Sequence, residues 1–422
     1  MIILIFILIF ELYLLKRVLK YFLLSPIYLY VIFSLLSIFS TIIYFYFFEN
    51  KFSLFGLDRV SEKVFLANLK MYITALNAFA LGVIIYYDLS TGKVKKLYNK
   101  SFTSSLFFNY TVPSKTIIVS RLLLVMIMFL YFLAYGKAIL IRTEYLPEVN
   151  RSLVIMIKIL SFVEVILLGI AYRKDKFVSN ILFFLLILIS MGTASRTVFL
   201  LILTYSSILF ISQGNTVLNK VKFTLNIFLS FVFLAYLMQL RGLDSHGVIP
   251  YIKNIATSGD GFLRDFYFNI YYSLIFGVYV TIQTVQEAQP DWNILFVSLN
   301  PLPGFLAGWY EYAKDMRLTP YAPYSLHGRV FTMGKLFTIF YFFMTGLIFS
   351  FMERKVRVYL NNGNRVLAFI IILLLILHIV YGFEYNLRSA FRYIYYAIFI
   401  IFISYLLRLI KPYLLKKKSN IE

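Results

Sequence analysis

Cysteine is absent from all 422 residues, which excludes disulfides, thiolate metal sites and a cysteine nucleophile while leaving the compartment open. Charge is scarce. Asp, Glu, Lys and Arg make up 14% of the chain, against roughly 25% in soluble domains, and 61% is hydrophobic against roughly 45–50%. Histidine occurs three times. No P-loop, GxGxxG or HExxH motif occurs, so nucleotide-driven transport and metal-assisted hydrolysis lose support. No DxD aspartate pair stands out, so a transferase built on this chain must neutralise its leaving group with arginine rather than a divalent ion.

What is present is apolar length. A mean hydropathy of +0.82 cannot be hidden in one soluble core, whereas spans of about 20 residues absorb it. The sequence predicts an all-α polytopic membrane protein with eleven spans. These lie near 2–15, 26–48, 65–87, 117–140, 152–172, 177–192, 197–212, 223–240, 330–352, 366–382 and 393–410. Two further apolar stretches, 266–286 and 292–309, would form an added pair and raise the number to thirteen. The first span reads as an anchor with its N-terminus outside, because Lys16, Arg17 and Lys20 follow it instead of preceding it as in a cleavable signal. The chain thus divides into membrane helices 1–240, one large external loop 241–329 and membrane helices 330–422.

The net charge of +22 suggests nucleic acid until the cations are placed. Loops assigned inside hold 21 basic residues, 16 of them Lys, and loops assigned outside hold 14, ten of them Arg. The inside excess fixes the orientation, with the C-terminus cytoplasmic, and removes the need for a nucleic-acid partner. The switch from Lys to Arg points to an anionic ligand outside, since the planar guanidinium grips phosphate and carboxylate in a bidentate fork.

The loop 241–329 carries six of the ten prolines and two of the three histidines. Arg196, Arg241, Arg264, Arg329, Arg388 and Arg392 sit at outer span ends, either snorkelling and pairing with acids or together forming a diphosphate-binding site. His327, between Ser325 and Arg329, is a candidate general base or an interfacial hydrogen-bonding residue. Glu311 and Asp315 share a face if EYAKDMR is helical, and would serve as base or as sugar-hydroxyl acceptors. Tyr324 belongs to an aromatic cluster suited to a membrane belt or to stacking on sugar rings.

Arg241-Gly242, NPLPG (300–304) and PYSLHGRVFTMGKLFTIFYFFMTG (323–346), set in this span layout, resemble the O-antigen polymerase family of oligosaccharide repeat-unit polymerases. The layout covers the whole chain, and the sequence likeness is confined to these motifs. This chain has Arg329 where many similar proteins carry an acidic residue. The resemblance implies an inner-membrane glycosyltransferase that moves a growing glycan from undecaprenyl diphosphate to the non-reducing end of a new lipid-linked repeat unit. It implies no cofactor, and as partners the lipid-linked oligosaccharides, membrane lipid and a chain-length regulator protein. His327 or Glu311 would be the base and Arg241 a catalytic arginine. Arg196, Arg264, Arg329, Arg388, Arg392, Asp315 and Tyr324 would bind substrate. An O-antigen ligase-like transferase and a polysaccharide flippase remain alternatives.

Overall fold

The computed structural model describes residues 2–19, 25–48, 56–98, 115–145, 147–195, 197–213, 217–240, 243–254, 262–302, 304, 306–313, 315–319, 322–384 and 387–419. It is 83% helical, as the composition predicts.

The chain begins with α1 (Ile2–Val18), α2 (Pro26–Phe47), α3 (Glu62–Asp88) and α4 (Gly92–Tyr98). There follow α5 (Lys115–Tyr135), a 3-10 turn, α6 (Arg151–Ala171), α7 (Lys176–Met191), α8 (Thr197–Gln213), α9 (Val217–Gln239), α10 (Val248–Asn254) and α11 (Phe262–Ile270). A π turn at Tyr271–Ile275 leads into α12 (Phe276–Glu287), α13 (Trp292–Leu299) and α14 (Trp309–Ala313). Two short antiparallel strands, β1 (Arg317–Thr319) and β2 (Ala322–Pro323), precede α15 (Leu326–Thr332), α16 (Lys335–Asn361), α17 (Arg365–Glu384) and α18 (Leu387–Ser419). Packing divides the chain into unit 1, Met1–Phe102 with Tyr271–Glu422, and unit 2, Thr103–Ile270. By packing, 241–270 belongs to unit 2 and 271–329 to unit 1.

Unit 1 is built around α3 crossing α16. A Cβ on Gly82 would lie 2.3 Å from the Phe343 carbonyl oxygen, and one on Gly346 2.2 Å from that of Phe79. Only glycine permits this approach, the small-residue contact that substitutes for a hydrophobic driving force between helices in lipid. Beside it Tyr30 of α2 stacks on Phe79 at 4.1 Å, and Phe349 of α16 meets both rings edge-on. Farther along α16, Glu353 and Arg357 form a fully buried ion pair at 2.7 Å. Ser25 donates its hydroxyl to Glu353 while capping α2 through the Tyr28 N–H. Arg357 donates to the Tyr98 carbonyl of α4 and lies over that ring. One ion pair thus joins three helix ends.

In unit 2, α5 to α8 enclose Leu124, Ile127, Val165, Leu168, Leu186 and Leu201. Asn150 caps α6 and Asp175 caps α7, each accepting main-chain N–H groups of the first turn.

Among the described residues, nine helices are long and apolar enough to cross a membrane. Three of the eleven expected spans fall short of that length. Helices α1, α7 and α8 have 17, 16 and 17 residues, about 24–26 Å against a hydrocarbon layer of about 30 Å. The added pair also resolves differently. Phe266–Glu287 is of span length, whereas α13 stops after eight residues. Asp291 caps its start and Pro301 follows its end, so 292–309 contains no second long helix.

Substituting Ala for Glu353 strands a buried guanidinium and should cost about 3–5 kcal/mol. The double variant Glu353→Leu/Arg357→Met should recover most of it, as thermal denaturation in detergent would record. Gly346→Val should abolish the folded species altogether.

Candidate functional site

The candidate residues of unit 1 gather where α12, α13, α15 and the first turn of α18 meet. The arrangement starts from Ser325, whose hydroxyl accepts the Gly328 N–H at 2.9 Å and so opens α15. That hydroxyl also donates to Thr281 at 2.7 Å, and Tyr72 of α3 donates to the same Thr281 oxygen at 2.8 Å. Thr281 passes its own hydrogen to the Gly277 carbonyl, so every hydroxyl in this chain is used. A Cβ on Gly328 would fall 2.5 Å from Thr284 Cβ, which is why α15 can lie so close to α12.

His327 projects from this turn into a ring cage of Tyr72, Phe331, Phe342 and Phe383 and is 2% exposed. Its Nδ1 lies 3.1 Å from the Gly382 carbonyl, an acceptor only, so Nδ1 carries the hydrogen. Burial pushes the imidazole pKa down to about 3. A neutral ring sealed among aromatics has neither basicity nor access, so this position does not support the general-base role.

Arg329 and Arg388 hold the α13 segment at its two ends. Arg329 Nη1 donates to the Gln289 carbonyl at 3.1 Å, and the guanidinium lies 5.3 Å over the Tyr324 ring. Burial lowers its pKa from the ordinary value, with Tyr324 and Asp291 opposing the shift. Arg388 Nη1 donates to the Val297 carbonyl at 2.7 Å and Nη2 to that of Leu302, with the guanidinium 5.2 Å over Trp309. Both arginines are buried, and the Nε of each has no partner among the described residues. Arg392, half-buried, is one helical turn from Arg388 on α18. Among the described residues no carboxylate stands within ion-pair distance of these three.

Glu311 and Asp315 are exposed and do not share a helical face, because α14 ends at Ala313 and Asp315 lies in the turn closed on the Tyr312 carbonyl. Arg196 and Arg241 lie outside the described residues, and for Arg264 only its position on α11 is described. Among the described residues no three His, Asp or Glu side chains converge as metal ligands. A cavity of about 640 Å³ between α17 and α18 is lined by 363–370, at the end of α17 remote from Gly382.

No family model, curated protein or solved structure matches this chain.

Two groups in unit 2 escape a reading based on motifs. Arg142 donates to four carbonyls, Ala138 and Gly192 through Nη1, Glu144 through Nε and Tyr145 through Nη2. It pairs through its main chain with His246, whose Nδ1 meets the Tyr251 hydroxyl at 3.0 Å. Lys158, an exposed cation within the span Ser152–Ala171, lines a cavity of about 220 Å³. The only sequence signal for either is a charge beside or within an apolar run.

The depressed His327 pKa fixes the sign of a pH effect. The unfolded chain takes up this proton near pH 6.5 while the folded chain does so only near 3. The stability is therefore complete above about 6.5 and declines as pH falls through that window, by up to about 1.4 kcal/mol per pH unit. Melting temperatures between pH 7 and 4 should show the decline, and His327→Gln should flatten it.

Proposed function

We propose that the chain is a membrane glycosyltransferase that polymerises lipid-linked oligosaccharide repeat units of a bacterial surface polysaccharide. The growing glycan passes from undecaprenyl diphosphate to the non-reducing end of a new unit. The observation that carries this reading is a pair of buried arginines, Arg329 and Arg388, at the two ends of the α13 segment, with Arg392 one helical turn from Arg388 and no direct ion pair to any of them among the described residues. Guanidinium charge held beside an apolar layer without a direct ion pair suits a departing diphosphate, whose negative charge grows in the transition state. Trp309 and Tyr324 already lie against two of these guanidinium planes and offer ring faces to a sugar. His327 is replaced as candidate base by Glu311, which is exposed on the same segment of unit 1. The likeness of NPLPG and the 323–346 stretch to repeat-unit polymerases points the same way.

A polysaccharide exporter is the second reading. It is favoured by Glu164, fully buried within a candidate span with neither carboxylate oxygen partnered among the described residues.

The deciding experiment is a gel of surface glycan from cells lacking the gene. Under the polymerase reading the ladder collapses to a single repeat unit on lipid A. Arg392→Ala, at a half-buried position with no clamp among the described residues, should reproduce that collapse while the protein still inserts. Accumulation of undecaprenyl-linked single units on the cytoplasmic side would establish the exporter instead.

A further inference from the structure

The cavity of unit 2 belongs to neither the arginine cluster nor the ion pair. It lies where the end of α5, the segment leading to α6 and the turn between α7 and α8 meet the first half of α6. Its apolar walls include Tyr131, Tyr135, Tyr145 and Ile157, and its polar side carries Thr193, Ser195 and Thr197. Among the described residues Lys158 is the one charged residue lining it.

These walls are held in place before any ligand arrives. Tyr131 donates to Ser190 Oγ at 3.1 Å, and Thr193 Oγ1 donates to the Ser190 carbonyl at 2.8 Å. Arg142 fixes the Gly192 carbonyl below Thr193 and the Tyr145 carbonyl on the opposite wall. Its four bonds go to main-chain oxygens, so it serves as scaffold and Lys158 is left as the cation of the pocket among the described residues. Ser195 and Thr197 share one hydrogen bond at 2.9 Å and Ser195 Oγ also accepts the Thr197 N–H, which leaves one hydroxyl hydrogen of the pair without a partner among the described residues.

Size and chemistry then narrow the occupant. At about 220 Å³ the cavity is smaller than the pockets of roughly 300–1,000 Å³ that enclose drug-sized ligands, and one ring fills it. Tyrosine rings against apolar faces, with hydroxyls around the rim, match the two sides of a sugar. A single ammonium matches a single negative charge, whereas a diphosphate would call for more cations. Lys158 sits in a helix otherwise apolar over most of its length, where a charge normally faces a cavity or a partner. We infer that this pocket is a saccharide subsite that takes one sugar ring bearing a single acidic substituent. That the ring belongs to a repeat unit rests on the function proposed above, while the pocket's own selectivity does not.

The test is saturation-transfer difference NMR on the purified full chain in lipid nanodiscs, with sodium glucuronate and glucose as probes and inorganic phosphate as competitor. Glucuronate should bind at least about tenfold more tightly than glucose, the worth of one charge-assisted hydrogen bond. Because Lys158 is exposed, Lys158→Met leaves the packing intact and should bring glucuronate down to the level of glucose, and Lys158→Arg should restore the preference. Equal binding of the two sugars, no transfer to either, or a preference that survives Lys158→Met would overturn the inference. Displacement of glucuronate by equimolar phosphate would also overturn it and reduce the pocket to an anion site. If the surface ladder collapses in the deletion but glucuronate does not bind, the polymerase reading stands and the subsite falls. The reverse pair of results keeps the subsite and removes the polymerase.

Discussion

Unit 1 depends on the main-chain contact between α3 and α16. At Gly82 and Gly346 each helix presents a bare Cα to a carbonyl oxygen of the other, at distances no side chain would survive. The contact sets how close the axes come, and that closeness brings Phe79 and Phe349 against Tyr30 on α2. Its strength comes from dispersion and weak Cα–H···O contacts, neither of which changes with pH or salt. The buried Glu353–Arg357 pair, by contrast, adds little net stability for the charge it buries. Its value is directional, since it accepts only one placement of Ser25 and Tyr98.

Three arginines show a second constraint. In irregular backbone and at helix ends, carbonyls lack a helical or sheet partner and still need a donor. Arg142 serves four of them, Arg388 two and Arg329 one. The planar five-donor fork that suits phosphate suits a set of converging carbonyls equally well. An arginine bias in loops and at helix ends is therefore in part the signature of irregular backbone. Only after those clamps are set aside do Arg392 and the Nε atoms without a partner among the described residues bear on a ligand.

Apolar length made the helical, membrane-spanning character legible, and the long spans stand where their runs of Ile, Leu and Phe place them. Long-range packing was not legible. Nothing local in the sequence tells that Gly328 must clear Thr284, or that His327 turns inward to Gly382 rather than outward to solvent. The reading of Glu311 and Asp315 as one helical face failed because helix continuation depends on the turn after Ala313, which charge spacing does not encode. Arg142 was visible as a loop cation, but its four acceptors come together only through the 3-10 turn and the α7–α8 corner.

The division into units has a consequence for biosynthesis. Unit 2 is one continuous stretch, Thr103–Ile270, whose packing partners are near neighbours along the chain. Unit 1 is interrupted, and α3 meets the glycine face of α16 only after some 250 further residues have left the ribosome, a delay on the order of tens of seconds at about 5–20 residues per second. During that interval the bare Cα of Gly82 waits without the α16 carbonyl it packs against. Helices α2 and α3, both long and apolar enough to cross a membrane, thus exist well before the partner that completes them, and the insertion machinery or neighbouring lipid must cover that glycine face meanwhile.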